Sequence, residues 1–319
     1  MPAISVLMSV YNESEKLLRE SLESILSQTY TNFELIIVCD NPSRKDEIEE
    51  VLNTYNDSRI KYIVNQSNKG LAMSLNVAFK EAVADIIARM DADDIAENNR
   101  FEKQIKCFES HQYDLVFSRY SYIDEQSRVL SHYNEQTFFQ PEKLRKKIAV
   151  DPNIIHHPTV MFTRDIFEKV GGYRDFPCSQ DADLWLRMQE SGCRFLMLPE
   201  KLLRYRINTN SVSSKRWFQQ QLTIHYIMKL SLERLETGRD SYSKDNYQNY
   251  LKRMRVYDVA RANALHLSQK KLSAAARYKT EGKNLRAFIL RSYVFLTSRY
   301  LRDYYLVVME KQRKINCCS

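Results

Sequence analysis

Asp91, Ala92, Asp93 and Asp94 put three carboxylates within four residues, directly after the apolar run at 86–90. Carboxylates this close repel one another unless a cation compensates, and hard divalent ions such as Mg²⁺ or Mn²⁺ favour oxygen ligands of this kind. A diphosphate can complete the shell of such an ion. The same residues also suit the first turn of a helix, where Asp is favoured, because the stretch 95–108 has helical character. Two more polar clusters, Tyr11 to Glu13 and Asp40 to Ser43, follow apolar runs in the same way. One crevice can collect all three.

The elements that must hold these clusters are legible in the hydrophobic pattern. Residues 4–10 (ISVLMSV) and 86–90 (IIARM) read as buried strands, and 33–39 (FELIIVC) and the short run 61–64 as further strands. Between them, Leu18, Leu22, Ile25 and Leu26, then Ile48, Val51, Leu52 and Tyr55, then Leu71, Leu75, Ala78, Phe79 and Ala82 recur at helical spacing. Asn12 as N-cap with Glu15 three residues on forms a capping-box pattern for the first helix. This alternation predicts an α/β fold with a Rossmann-like, mostly parallel sheet flanked by helices, in which ligands bind at the carboxyl ends of the strands. Strands are also expected at 114–122 and 159–163 and a helix at 183–190, where the regular rhythm is lost.

Composition bounds what the crevice can belong to. The chain has 319 residues, 44% of them apolar, with six Gly and six Cys and a mean hydropathy of −0.50, which excludes collagen-like, disulfide-scaffold and wholly disordered classes. No apolar stretch approaches the roughly 20 residues that span a bilayer, and no charged region precedes the first apolar run as in a signal peptide. Cys39, Cys107, Cys178, Cys193, Cys317 and Cys318 form no C-x-x-C pair, which predicts reduced thiols in a cytoplasmic setting and no structural zinc. Charge is unevenly divided: residues 1–213 hold 26 basic and 32 acidic side chains, net −6, and residues 214–319 hold 22 and 8, net +14. So basic a segment calls for an anionic partner, either nucleic acid or an acidic bilayer surface. A domain boundary is expected where it begins, giving domains at 1–213 and 214–319, the second a smaller helical region.

Eight segments, ISVLMSVYNES, NFELIIVCDNPS, NKGLAMSLN, IIARMDADD, HHPTVMF, GGY, QDADLWLR and LLRYRINTNSVS, occur in an order and spacing that resembles the family 2 glycosyltransferases. The resemblance covers about residues 2–213 and leaves the C-terminal third outside. It implies a GT-A fold and an inverting, metal-dependent, sugar-nucleotide-using transferase of the type found in bacterial O-antigen and capsule synthesis.

Carried over by position, the resemblance puts Ser9, Tyr11 and Glu13 in the donor pocket, the Tyr11 ring against the base and Asp40 accepting a hydrogen bond from uracil. A half-buried packing aromatic is the alternative for Tyr11. Cys39 stands where the family usually has a first acid, while Asp40 keeps the second. Asn68, Lys69 and Gly70 would sit beside the nucleotide, Gly70 at a sharp turn ahead of a helix, although Lys69 could equally be a solvated charge. Arg89 would contact the donor sugar or fix the carboxylates. Asp91 and Asp93, separated by Ala92, would hold the ribose and Mg²⁺ or Mn²⁺, with Asp94 capping a helix or supporting them from behind.

Inversion at an anomeric carbon requires one in-line displacement, so a single carboxylate must take the acceptor's proton. The resemblance gives that role to Asp181, with Gln180 in place of the usual Glu and Asp183 as the competing candidate. Trp185 would be an acceptor platform or else a buried anchor. His157 would lie on the acceptor side or else be a packed, hydrogen-bonded residue. Arg206, Ser211 and Ser213 would contact the diphosphate, and Asn208 replaces a metal-binding His of many relatives with an oxygen donor better suited to Mg²⁺ than to Mn²⁺.

The expected reaction is transfer of a hexose or N-acetylhexosamine from a UDP-sugar to a hydroxyl of a growing surface glycan, with a β linkage formed. A polyprenyl-diphosphate-linked acceptor would place the protein at the inner face of the cytoplasmic membrane. Residues 285–309 combine Phe288, Tyr293, Phe295, Tyr300, Tyr304 and Tyr305 with Arg286, Arg291, Arg299 and Arg302, which suits a helix lying in a membrane interface. A helix packed on the catalytic domain with a solvated basic face is the alternative. No recognised nucleic-acid-binding motif accompanies the charge, so nucleic acid is not the expected partner. A nucleotidyltransferase would want a Gly-rich phosphate loop after the first strand, which SVYNES does not offer. Gln180 and Asn208 leave open a catalytically inactive sugar-nucleotide-binding protein, against which stands the retention of Asp40, Asp91, Asp93 and Asp181.

Overall fold

Runs rich in Ile, Val and Leu form strands buried on both faces, apart from the outer strand at 60–64, which is only partly buried. Ile4–Val10 (β1), Phe33–Cys39 (β2), Ile60–Val64 (β3) and Ile86–Asp91 (β4) pair in parallel in the order β3-β2-β1-β4. Because strand side chains alternate between faces, Leu7, Ile36 and Ile87 pack with Leu75 and Ala78 of Leu71–Glu81 (α3) on one side. Val6, Met8, Leu35 and Ile37 pack with Leu18, Leu22 and Ile25 of Glu15–Leu26 (α1) on the other. Lys45–Asn53 (α2) adds Ile48, Val51 and Leu52 to that second layer. The computed structural model describes residues 1–130, 136–207, 217–281 and 283–317, and the chain divides into two compact units, Met1–Ser214 and Lys215–Ser319.

Past β4 come Ile95–Ala96 (β5), Arg100–Ile105 (α4), Leu115–Ile123 (β6), Pro141–Val150 (α5), Met161–Thr163 (β7), Arg164–Lys169 (α6), Gln180–Glu190 (α7) and Phe195–Arg206 (β8). These strands complete one eight-stranded sheet in the order β3-β2-β1-β4-β7-β6-β8-β5. β7 runs antiparallel to both β4 and β6, β5 is antiparallel to β8, and β6 and β8 are parallel. The α/β class and the flanking helices are as expected.

Several local expectations need correction. The stretch 95–108 is not one helix: Ile95–Ala96 pairs with Leu203 and Arg204, and α4 begins only at Arg100. Nor does Asn12 cap α1. Ser14 is the N-cap, its hydroxyl accepting from the Leu17 N–H, while the Asn12 side chain accepts from Asn41 at 3.0 Å. α5 and the twelve-residue β8 were not anticipated, because the Pro-Glu-Lys in the middle of β8 breaks its alternation.

The second unit is helical: Trp217–Thr237 (α8), Lys244–Arg253 (α9), Val259–Thr280 (α10), Asn284–Thr297 (α11) and Arg299–Cys317 (α12). Leu265, Val294 and Leu301 form a small core joined by Trp217, Phe218, Leu272 and Tyr300. Among the described residues no helix is long and apolar enough to cross a membrane.

Candidate active site

Strand register gathers the polar clusters at one edge of the sheet. Ser9 of β1 lies beside Asp91 of β4, and Val10 lies beside Cys39 of β2, so the segments that follow all leave the sheet together. Ser9 is half-buried. Carboxylate oxygens of Asp91, Asp93 and Asp94 lie within 4.8 Å of one another. Asp91 is half-exposed and paired with the buried Arg89, whose Nε and Nη1 have no partner among the described residues. Asp94 is fully buried: one oxygen accepts the Arg206 N–H at 2.8 Å and the other has no partner among the described residues. It caps no helix, since β5 follows it.

Packing like charges in a closed space raises the cost of ionising them. Burial, then the charges of Asp91 and Glu13, push the Asp93 carboxyl up to about 7, and burial pushes Asp94 well above the usual carboxylate range. Ala92 is buried between them. An orphaned buried oxygen and clustered hard donors fit a divalent cation. Behind the cluster, Arg100 donates to the Arg89 carbonyl (2.9 Å) and the Val160 carbonyl (3.3 Å). Burial, with the Arg89 charge adding, lowers Arg100 to about 9.

On the expected nucleotide side, Tyr11 is 42% exposed and its N–H donates to Glu13 at 2.7 Å. Enclosure holds Glu13 above its ordinary value, and the Asp91 charge acts in the same direction. Asp40 is buried and serves as a loop anchor: it accepts from Asn65 Nδ2, Lys69 N and Gly70 N, each at 2.8 Å. Asn68 also accepts the Gly70 N–H, at 3.1 Å, and the Asn68 and Lys69 side chains are exposed. Gly70 has φ +81° and ψ 160°, a region essentially reserved for glycine. Gly70→Ala is therefore expected to destabilise the protein by about 2 kcal/mol from backbone strain, although open space surrounds the added Cβ. Urea unfolding measures it, and an unchanged midpoint would refute the strain.

Asp181 stands in the first turn of α7. Burial raises its pKa, the Ala182 N–H and the Arg89 charge lower it, and the Asp91 charge raises it, with a net upward shift. Asp181 thus shares its electrostatic environment with the acidic cluster. The competing Asp183 is fully buried, bonded to Arg187 Nε at 2.8 Å, and Arg187 is itself held by the Val170 and Gly172 carbonyls.

Three expected contacts are placed elsewhere. Trp185 is wholly enclosed in the core, so it anchors α7 and is no acceptor platform. Arg206 has a fully buried guanidinium bonded to the Asp93 carbonyl (2.7 Å), the Asp124 carbonyl (2.8 Å), Ser127 Oγ (3.0 Å) and Glu20 (2.7 Å); it clamps the acidic segment and does not face a diphosphate. His157 is buried, shares a 2.6 Å hydrogen bond with the Tyr173 hydroxyl, and burial lowers its pKa well below the imidazole norm. It is a packed, hydrogen-bonded residue of the interior and no acceptor contact. Asn208, Ser211 and Ser213 lie outside the described residues.

Sequence reasoning missed an aromatic wall. The His156 ring stacks on Tyr120 at 4.1 Å and meets the Tyr205 edge at 4.3 Å, and Tyr122 pairs in register with Tyr205. After burial, the charges of Asp94, Asp91 and Asp93 raise Tyr205, which places the wall beside the acidic cluster. Burial lowers His156 to about 4, and its Nε2 has no partner among the described residues. The Tyr-x-Tyr alternation at 120 and 122 was the available signal, unreadable without β8 as its partner strand.

The chain matches a family model described as Glycosyl transferase family 2 over residues 5–171. The O-antigen biosynthesis glycosyltransferase WbnJ of Escherichia coli is 35% identical over 212 residues, spanning 65% of this chain and 81% of that protein. Among solved structures, S. aureus TarS 1–349 in complex with UDP-GlcNAc aligns with TM-score 0.58 at 16% identity, over 79% of this chain and 70% of that one. The mannosyltransferase PcManGT from Pyrobaculum calidifontis, in complex with GDP-Man and Mn²⁺, aligns with TM-score 0.57 at 16% identity, over 98% and 86%. At such identities the likeness is one of fold.

Proposed function

The chain belongs to glycosyl transferase family 2, and from that premise we propose that it is an inverting transferase moving a hexose or N-acetylhexosamine from a UDP-sugar to a hydroxyl of a growing surface glycan, with a β linkage formed. The observation that carries the reading is the cluster of Asp91, Asp93 and Asp94 that follows β4, and the Asp91 charge acting on Asp181 supports its pairing with that cluster. Asp181 takes the acceptor proton. Asp91 and Asp93, with Asp94 behind them, would hold Mg²⁺ or Mn²⁺, which when bound supplies positive charge for the departing diphosphate. Ser9, Tyr11, Glu13 and the Asn68–Gly70 turn anchored on Asp40 line the nucleotide side, and Arg89, whose Nε and Nη1 have no partner among the described residues, faces the donor sugar. The E. coli relative's O-antigen role supports a lipid-linked glycan acceptor, met at the inner face of the cytoplasmic membrane.

The test is nucleoside diphosphate release from a panel of UDP- and GDP-sugars with Mg²⁺ or Mn²⁺, with and without a polyprenyl-diphosphate-linked acceptor. One UDP-sugar turning over supports the reading. Preference for a GDP-sugar would overturn the donor, and nucleotide binding without turnover of any donor would favour a binding-only protein.

Proton competition gives a second, metal-specific check. Asp93, held up near 7 against an ordinary 3.8, must lose its proton to bind a cation, so Mn²⁺ affinity is expected to fall about tenfold per pH unit below 7 and to level off above it. In that window the folded state binds the proton more tightly than the unfolded state, so rising pH erodes metal-free stability. The thermal shift caused by Mn²⁺ should therefore be larger at about pH 8 than at about pH 6. Equal shifts would remove Asp93 from the site.

A further inference from the structure

The helix α11 is inside out. Its buried face is made of small and branched residues, Ala287 and Val294, with Val294 in the core of the second unit. Its exposed side carries Leu285 (71% exposed), Phe288 (68%), Ile289 (55%), Phe295 (41%) and Leu296 (74%). At 100° per residue these five fall within an arc of roughly 120°, interrupted only by the half-buried Ser292. Arg286 borders the arc on one edge and Arg291 on the other, both exposed, and no acidic side chain occurs on the helix. On the Arg286 edge, Tyr293 carries Lys271 Nζ over its ring at 3.9 Å. A soluble protein rarely presents its most apolar helix face to water without a partner.

We propose that this face of α11 is a docking surface for an anionic lipid bilayer, with Leu285, Phe288, Ile289 and Leu296 entering the acyl boundary and Arg286 and Arg291 meeting lipid phosphates on either side. The pattern of an apolar arc edged by long cations is that of a helix lying in the interface plane. Charge selects the bilayer over a second copy. Self-association would set these arginines, in a segment of net charge +14, against identical cations, which disfavours it, whereas an acidic leaflet complements them. The surface rests on the proposed function in that it brings the protein to a lipid-linked acceptor, but its binding is read without turnover.

The experiment uses the full chain in flotation with vesicles of phosphatidylcholine alone or mixed with phosphatidylglycerol, beside light scattering for oligomeric state. Wild type is expected to float with the anionic vesicles only and to be released by high salt. Phe288→Ser with Leu296→Ser should lower partitioning by at least about tenfold, and Arg286→Gln with Arg291→Gln by roughly fivefold for each arginine removed. Both variants should keep the wild-type circular dichroism and nucleotide-sugar hydrolysis, because all four side chains are exposed and lie outside the catalytic unit. Equal flotation with neutral vesicles, or none with either, would overturn the proposal. So would a wild-type dimer that Phe288→Ser with Leu296→Ser turns into a monomer, which would make the face a contact between copies. Absence of hydrolysis by wild type with flotation intact would instead count against the catalytic reading alone.

Discussion

Asp181→Asn is expected to lower sugar transfer by roughly a thousandfold, in the middle of the range for loss of a general base, while nucleotide affinity changes by less than about threefold. The substitution keeps the shape and one acceptor oxygen at the start of α7 and removes the charge and the ability to take a proton. Burial already raises this carboxyl above its ordinary range, and a base nearer neutrality accepts a proton more readily. In wild type, kcat/KM should therefore decline on the acid side as Asp181 protonates, at a pH above that of an exposed Asp, and the residual activity of the variant should lack this limb. Asp183→Asn provides the contrast. It breaks the buried pair with Arg187, so its damage should appear as lost stability, about 3–5 kcal/mol, with kcat of the remaining folded protein near wild type. Diphosphate release, titration with UDP and thermal unfolding separate the two. Retention of a tenth of wild-type activity by Asp181→Asn would give the base to another residue.

The parts of this molecule that were legible in the sequence share a physical cause. β1, β2 and β4 are buried on both faces and read as apolar runs, and the charged or polar residue ending each run marked the edge of the crevice. Local patterns of this kind carry their own evidence. What was not legible depended on contacts distant in sequence. Ile95–Ala96 forms a strand because β8 lies beside it, and helical propensity at 95–108 yields to that pairing. Trp185 and His157 kept two readings each until packing decided between them, since an aromatic at helical spacing serves equally a core and a sugar platform. Glu20 gave no signal at all; its role exists only because Ser127, 107 residues on, and Arg206, 186 residues on, reach it.

That same Arg206 carries the second large expected effect. Its guanidinium makes four hydrogen bonds, to the Asp93 and Asp124 carbonyls, Ser127 Oγ and Glu20, and its backbone N–H holds Asp94. Arg206→Met keeps much of the side-chain volume but strips the guanidinium from the Asp93 carbonyl, from the Asp124 carbonyl, which keeps the Ser127 N–H, and from the half-buried Glu20, which keeps the Ser127 hydroxyl. The expected cost is about 3–5 kcal/mol, which for a unit of this size lowers Tm by about 10 °C. Arg206→Lys should recover little, because a single ammonium cannot reproduce a planar fork aimed at four acceptors. Since Glu20 and Arg206 share one network, adding Glu20→Gln to Arg206→Met should cost less than the two losses summed. The site feels the change through geometry: the main chain at Asp93 loses its guanidinium tether while the Asp94 carboxylate keeps only the backbone N–H of residue 206, so Mn²⁺ affinity should fall along with Tm. A diphosphate contact predicts the opposite division, a raised KM for the donor with Tm unmoved. Thermal unfolding and a metal titration of Arg206→Met, set beside donor KM, discriminate the clamp from the contact, and an unchanged Tm would restore the contact.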